Sequence, residues 1–329
     1  MATQSTGLNR PQVPKKWDAQ QIPSQKGALA IVTGANSGLG FETALELCRK
    51  GAHVVLACRN ETRGREAEVK IRELLTSTVD AGTVELVQLD VGDLTSVRSF
   101  SEQFTKTHNR LDLLINNAGV MGGDYAQTVD GYERQFATNH LGHFALTAQL
   151  LPLLQSAPSS RVVNVSSGLS RTVPSFNEKE LNASEENYGQ VEAYNVSKLC
   201  NLLFTMELAR RLKASNVNGV TAVACHPGIA DTNLTASPSA SNSSWFWKVL
   251  FKLSWLLPHH SAQMGVLPTL YAATGSEVES GDYFGPKYLR SFGTPAREDP
   301  PKLSKSAEAA TKLWLLSEQL THLSFEISS

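Results

Sequence analysis

TGANSGLG, residues 33–40, is the stretch of this chain whose residue types and spacing point most directly to chemistry. Gly34, Gly38 and Gly40 follow a short apolar run, ALAIV (28–32), and lead into FETALELCRKG (41–51). The run reads as a strand buried on both faces, and the next segment as a helix closing at Gly51. At such a joint the first glycine permits a tight turn. The second lets a pyrophosphate approach the backbone, and the third lets helix and strand pack closely. The unsatisfied N–H groups of the helix N-terminus then face the phosphates. A glycine triplet alone is a common structural turn, but flanked by this strand and helix it reads as a dinucleotide site.

The second expected strand, AHVVLACRN (52–60), bears on which dinucleotide is held. Sites that prefer NAD(H) usually place an acid ~20 residues beyond the turn, for the ribose 2′-hydroxyl. Here the strand ends Ala57, Cys58, Arg59. The acid is missing and a guanidinium stands beside its place, which suits the 2′-phosphate of NADP(H) better than NAD(H). The plainer alternative makes Arg59 a solvated loop charge. Asp90 could accept a hydrogen bond from an adenine amino group, or simply cap the helix beginning near Leu94.

Four more segments read as strands: TVELVQLDV (83–91), LDLLINNAG (111–119), RVVNVSSG (161–168) and GVTAVACHPG (219–228). Helical patterns lie between them at 61–75, 94–108, 131–154 and 193–213. This alternation from 28 to 228 predicts an α/β fold. We expect a single Rossmann-type doubly wound parallel sheet, with helices on both faces and right-handed crossovers. Ligands bind outside the carboxyl ends of such strands. Residues 34–40, Cys58, Arg59, Asp90, residues 116–119, Ser166, Ser167, Pro227 and Gly228 all fall there.

The 329 residues suit one large domain with extensions, and no second segment shows a core of its own. At 41% hydrophobic and 19% charged residues, wholesale disorder is excluded. Thirty basic residues against 31 acidic ones leave no electrostatic engine for binding nucleic acid. Cys48, Cys58, Cys200 and Cys225 have no C-x-x-C spacing and read as reduced thiols of a cytoplasmic protein. No apolar run reaches the ~18 residues of a membrane span. Residues 1–26 are polar and Pro-rich, without a signal-peptide core, and read as a flexible arm whose end Trp17 could anchor.

Taken together, TGANSGLG, NNAG (116–119), NHLG (139–142), the serine pair 166–167, YNVSK (194–198) and HPG (226–228) resemble the short-chain dehydrogenase/reductase family. The match runs from about residue 27 to 230 and continues more weakly to the C-terminus. NNAGVM, DGYERQFATNHLGHFALT and KLWLLSEQL look most like the retinol dehydrogenase and WW-domain oxidoreductase group. The resemblance implies a catalytic tetrad of Asn139, Ser167, Tyr194 and Lys198. Ser167 is preferred to Ser166 because the family uses the second serine. The resemblance also implies cofactor contacts from Gly34, Asn36, Ser37, Gly38, Leu39, Gly40, Arg59, Asp90, Val91, Asn117, Ala118, Gly119, Tyr194, Lys198, Pro227, Gly228, Ile229 and Thr232. One departure is the 27-residue interval from Ser167 to Tyr194, longer than the common spacing. It implies a surface insertion near 169–190.

The implied chemistry is hydride transfer between nicotinamide and a carbonyl or alcohol. Tyr194 and Lys198 share one face of a helix. A free tyrosine titrates near ~10, and a neighbouring ammonium favours phenolate. Tyr194 would then exchange a proton with the substrate oxygen, and Ser167 would hold that oxygen. Lys198 would also bind the nicotinamide ribose. Asn139 would orient a helix bend and a water that relays protons to Lys198.

Beyond Thr232, a Ser-rich lead-in precedes SSWFWKVLFKLSWLLP, so residues 233–260 read as an apolar substrate lid. A lid that also seats peripherally in a membrane interface through 245–257, and an ordinary buried helix, are the alternatives to it. Each favours a hydrophobic substrate of the retinoid, steroid or lipid-aldehyde class. His140 and His143 read as packed or capping groups, His259 and His260 lack a partnering acid or thiol at metal-ligand spacing, and no metal is expected. A catalytically silent NADP(H)-binding regulatory or scaffold protein is the competing reading; the intact tetrad counts against it. Light-driven protochlorophyllide reduction is disfavoured by Ile229, where that family carries a cysteine. The sequence leaves association into a homo-oligomer open.

Overall fold

The computed structural model describes residues 12–228 and 261–327. Strands β1 (Leu29–Thr33), β2 (His53–Cys58), β3 (Val84–Gln88), β4 (Leu113–Asn116), β5 (Ser160–Val165) and β6 (Val220–Cys225) fall where the alternation expects them. Helices α1 (Gly38–Arg49), α2 (Glu61–Leu75) and α3 (Leu94–Thr107) join the first four strands. Between β4 and β5, α4 (Arg134–Phe136) passes through a π-helical turn (Ala137–Leu141) into α5 (Gly142–Ser156). The long α6 (Gln190–Ala214) joins β5 to β6.

The sheet has eight strands in the order β3-β2-β1-β4-β5-β6-β7-β8. Seven run parallel; β8 (Phe292–Arg297) returns antiparallel to β7 (Tyr283–Tyr288) at the edge. This hairpin carries no alternating pattern. Pro286 pairs with Pro295 across it, and its tip places Leu289 and Arg290 at φ 50° and 55° instead of using Asn-Gly. Three C-terminal helices complete the described fold: α7 (Ala262–Gly265), α8 (Leu267–Thr274) and α9 (Ala307–Thr321).

Strand β1 shows why the apolar runs are unbroken. Ala30 and Val32 face the layer shared with α1 and α8, whereas Leu29 and Ile31 face Phe144, Phe204 and Trp314. Both faces of the sheet are therefore dry, and chemistry is confined to its edges.

Of the arm expected at 1–26, residues 12–26 are laid on the body. Trp17 is 4% exposed and sits edge-on to Tyr271, with ring centroids 5.1 Å apart. Ile22 is buried beside it, and Gln25 N–H donates to the Lys50 carbonyl. Burying one indole outweighs the polarity of its neighbours. The insertion near 169–190 folds as short 3-10 turns, with Ser170 and Leu181 buried. The segment 233–260, read as a lid, lies outside the described residues.

Candidate active site

The glycine turn leaves β1 at its carboxyl end. Gly34 has φ +67°, and a Cβ there would lie 2.9 Å from the Ala118 backbone. Gly38 opens α1 onto free space, whereas a Cβ at Gly40 would meet Asn117 Nδ2 at 2.5 Å. Ser37 sits at the N-cap of this twelve-residue helix but makes no capping bond with its side chain. The first N–H groups of α1 thus keep their capacity for an anion, in a cradle that a side chain at position 38 would invade. The turn fits a dinucleotide pyrophosphate; within it Asn36 is half-buried and Leu39 buried.

Thr33, which sequence reading passed over, ties this turn to the loop after β4. Its Oγ1 accepts from the N–H groups of Asn117 and Ala118, each at 2.9 Å, and Asn117 Nδ2 donates to its carbonyl. His143 joins the same knot. Its Nδ1–H donates to the Asn139 carbonyl at 3.1 Å, so Nε2 must accept from the Thr33 hydroxyl at 2.9 Å. Burial, aided by the charge on Lys198, pushes His143 down to about 4 and keeps it neutral.

Arg59 is exposed at the end of β2, and its carbonyl accepts from Gln88 Nε2. Cys58 before it is fully buried, and burial pushes its thiol up to about 11. The cap of α3 is Asp93, whose Oδ1 accepts from Thr95 and Ser96 N–H. Asp90 is therefore not the cap; its Oδ1 accepts from Gly92 N–H. Val91 is buried, and its carbonyl lies where a Cβ on Gly142 would have to go. Asn116 points into the sheet instead of towards a ligand, donating to Asn164 at 2.8 Å and Thr147 at 3.1 Å.

Asn139 lies in the π-helical turn, where Gly142 N–H reaches back five residues to the Ala137 carbonyl. The turn aims its amide at the strand β4 loop. Oδ1 accepts from Val120 N–H at 2.8 Å, and Nδ2 donates to the Val120 carbonyl and to Ser197 Oγ. Lys198 reaches the same spot. A Cβ on Gly119 would lie 3.2 Å from both Asn139 Oδ1 and Lys198 Nζ. Lys198 Nζ also donates to the Val165 carbonyl at 3.1 Å and stands 5.9 Å from the Tyr194 ring centroid.

The two serines have separate tasks. Ser166 is buried and donates to the Lys198 carbonyl at 2.7 Å. Ser167 is half-buried and accepts from Leu169 N–H. Tyr194 and Lys198 are 6% and 4% exposed. Burial pushes the tyrosine up to about 12, with Ser167 pulling the other way. Burial also pushes Lys198 down to about 8. Desolvation, not the neighbouring lysine, governs Tyr194 and favours its neutral phenol, the form able to donate a proton.

At the β6 exit, Pro227 and Gly228 are described, whereas Ile229 and Thr232 lie outside the described residues. Gly228 N–H donates to His226 Nδ1 at 3.2 Å, and His226 Nε2–H donates to Glu298 at 2.9 Å. Burial alone would raise Glu298, but His226 and Arg171 outweigh it and hold the carboxyl below its usual range. Arg171 and Arg290 share the other oxygen. Glu298 thus joins the turn after Ser167, the β6 exit and the edge hairpin. Sequence reading missed it because it stands 72 positions from His226. His140 packs among Phe136, Phe144 and Phe204, with Nε2 on Ser317; His259 and His260 lie outside the described residues.

A doubly wound sheet whose first turn can cradle a pyrophosphate, beside a buried tyrosine and lysine, is the architecture of dinucleotide-dependent oxidoreductases. The family model described as short chain dehydrogenase matches residues 28–243, and the chain belongs to that family of oxidoreductases. It is 41% identical over 309 residues to Homo sapiens retinol dehydrogenase 14, covering 90% of this chain and 87% of that one. A crystal structure of an uncharacterised protein from Mycobacterium paratuberculosis superposes with a TM-score of 0.76 at 39% identity, covering 95% of this chain and all of that one. A chain described as an NAD(P)-dependent gluconate 5-dehydrogenase from Beutenbergia cavernae, with NADP bound at low occupancy, shares 25% identity at a TM-score of 0.60. It covers 79% of this chain and 95% of that one. Among the described residues, no helix is long and apolar enough to cross a membrane.

Proposed function

We propose that this oxidoreductase transfers a hydride between NADP(H) and the carbonyl or alcohol of a hydrophobic substrate, of the retinoid, steroid or lipid-aldehyde class. The observation that carries the reading is Lys198 Nζ beside Gly119 and Asn139 and 5.9 Å from the ring of the buried Tyr194, whose titration Ser167 influences. When bound, the nicotinamide supplies the carbon that gives or takes the hydride. Tyr194 donates its phenolic proton to the substrate oxygen during reduction, and Ser167 steadies that oxygen as charge develops. Lys198 holds the nicotinamide ribose and returns a proton towards Tyr194, in a position set by Asn139. Arg59 binds the 2′-phosphate, Gly34, Ser37 and Gly38 the pyrophosphate, and Asp90 and Val91 the adenine. Asn117, Ala118 and Gly119 line the adenosine side; Pro227, Gly228, Ile229 and Thr232 close over the nicotinamide. The retinoid-class substrate rests on the similarity to retinol dehydrogenases and on the aromatic content of the 245–257 sequence.

Nicotinamide fluorescence titrations with NADPH and NADH, followed by assays on retinal, steroid ketones, lipid aldehydes and small carbonyls, test the proposal. NADPH should bind more tightly, and large apolar carbonyls should show the lower KM. Tighter NADH binding overturns the cofactor reading, and a preference for small polar carbonyls overturns the substrate reading. Tight binding without any turnover makes the chain a silent cofactor-binding protein.

A further inference from the structure

The amino edge of the sheet carries a cluster that the oxidoreductase chemistry does not use. His53 opens β2, Glu85 lies on β3, and His108 closes α3. They are separated by 32 and 23 positions in sequence. Parallel pairing of β2 with β3 brings the first two together, and the end of α3 delivers the third. One potential ligand atom from each side chain lies within 4.8 Å of the other two.

The geometry suits a tetrahedral centre. His53 Nε2 and Glu85 Oε1 are 3.3 Å apart. Two ligands at ~2.1 Å from a tetrahedral zinc are themselves roughly 3.4 Å apart. The His53 and His108 rings are within 24° of parallel, with centroids 6.5 Å apart. His108 stacks on the buried Phe104 at 4.2 Å. Its Nδ1 is engaged by Thr107 Oγ1 at 2.9 Å and lies 3.3 Å from the Phe104 carbonyl, which leaves Nε2 as the nitrogen available to a ligand. His53 Nδ1 is engaged with Thr83 Oγ1 at 2.5 Å, which leaves Nε2 on the Glu85 side. Metal-binding histidines are oriented by this kind of contact from the other ring nitrogen. Solvent reaches the cluster by two open depressions of about 410 and 380 Å³, one bordered by His108 and the other by His53, which meet at Leu29.

We propose that His53, Glu85 and His108 form a divalent-metal site selective for Zn2+, with water in the fourth position. Two imidazoles and one carboxylate favour zinc over magnesium or calcium, which take oxygen ligands. The site lies at the end of the sheet opposite Tyr194. It clips β2, β3 and α3 together and takes no part in hydride transfer.

The test uses the full chain, stripped of metal with a chelator and titrated with zinc chloride in a calorimeter. Cobalt(II) absorption reads the geometry. One Zn2+ should bind per chain with micromolar affinity, raise Tm by a few degrees and give a tetrahedral Co2+ spectrum. His53→Gln and His108→Gln should each weaken Zn2+ binding by at least about tenfold and remove the Tm rise, leaving turnover unchanged. Should a histidine variant fold poorly, Glu85→Gln replaces it, and the Co2+ spectrum of the unaltered chain still decides. Absence of saturable Zn2+ binding, or binding that survives all three substitutions, reduces the cluster to an exposed ion pair and overturns the proposal.

Discussion

At the carboxyl edge of the sheet, Tyr194 and Lys198 keep only 6% and 4% of their surface in water. At the amino edge, the side chains of His53 and Glu85 keep 35% and 43%. The strands are the same, but their connections differ. The loops after β4 and β5 fold back over the carboxyl edge, and the β7–β8 hairpin packs its Ser291 and Pro286 against Gly228. Between α1 and β2 at the amino edge only Lys50, Gly51 and Ala52 intervene. Desolvation therefore governs the chemistry at one edge, displacing the titrations of Tyr194, Lys198 and His143. At the other edge, ligand spacing is what counts. A dry edge is suited to moving protons and a wet one to exchanging ions.

The sharpest way to break this contrast is Tyr194→Phe. It keeps the packing and removes only the phenolic proton, so turnover should fall by roughly 10²–10⁴-fold with cofactor affinity nearly intact. Substantial carbonyl reduction by this variant, in stopped-flow measurements of NADPH oxidation, would sink the tetrad. His53→Gln at the wet edge should leave the same rate unchanged. The ammonium is the working form of Lys198, so carbonyl reduction should decline as pH rises through about 8.

The dry edge should also be the acid-sensitive one. Burial holds His140 near about 3 and His143 near about 4 in the folded chain, against 6.5 for an ordinary histidine. Below that ordinary value the unfolded chain takes up protons that the folded chain refuses. Stability is therefore present at neutral pH and lost as pH falls from about 6.5 towards about 4. At about pH 5 each histidine costs on the order of 2 kcal/mol. Urea melts across this range should show the slope, and His140→Gln should remove about half of it. A slope untouched by that substitution assigns the acid sensitivity elsewhere.

Arg59→Ala should weaken NADPH binding by about tenfold to a hundredfold, the worth of a charge-assisted contact, and barely alter NADH binding. Equal losses for both nucleotides would make Arg59 a general surface charge. The smallest expected effect separates the two nitrogens of His226. Asn reproduces an acceptor near Nδ1, which serves Gly228, whereas Gln reaches towards Glu298 as Nε2 does. His226→Gln should raise the KM for NADPH a few-fold, and His226→Asn should restore most of it at similar Tm. If both variants behave alike, His226 acts only through packing.

Much of the dry edge was legible in sequence because its parts are local. The glycine turn, the Tyr194–Lys198 helix pair and the serine pair each lie within one short segment whose period fixes the geometry. The alternation of strands and helices then puts them at one edge. Thr33 escaped notice, since a buried hydroxyl looks like ordinary core until its partners are known. The hairpin escaped because its prolines erase the period-two pattern.

By itself, then, the sequence determined the six parallel strands of the Rossmann half, the glycine turn after the first of them and the pairing of Tyr194 with Lys198 on one helix face. These follow from short-range periodicity and backbone chemistry. Tertiary structure alone decided which way desolvation moves Tyr194 and Lys198, because burial sums contributions from every element around them. It also decided that Trp17 docks on Tyr271, that Glu298 reaches His226, and that His53, Glu85 and His108 meet at the amino edge. Each of these is a contact between segments far apart in the chain, and their spacing in sequence carries no trace of their distance in space.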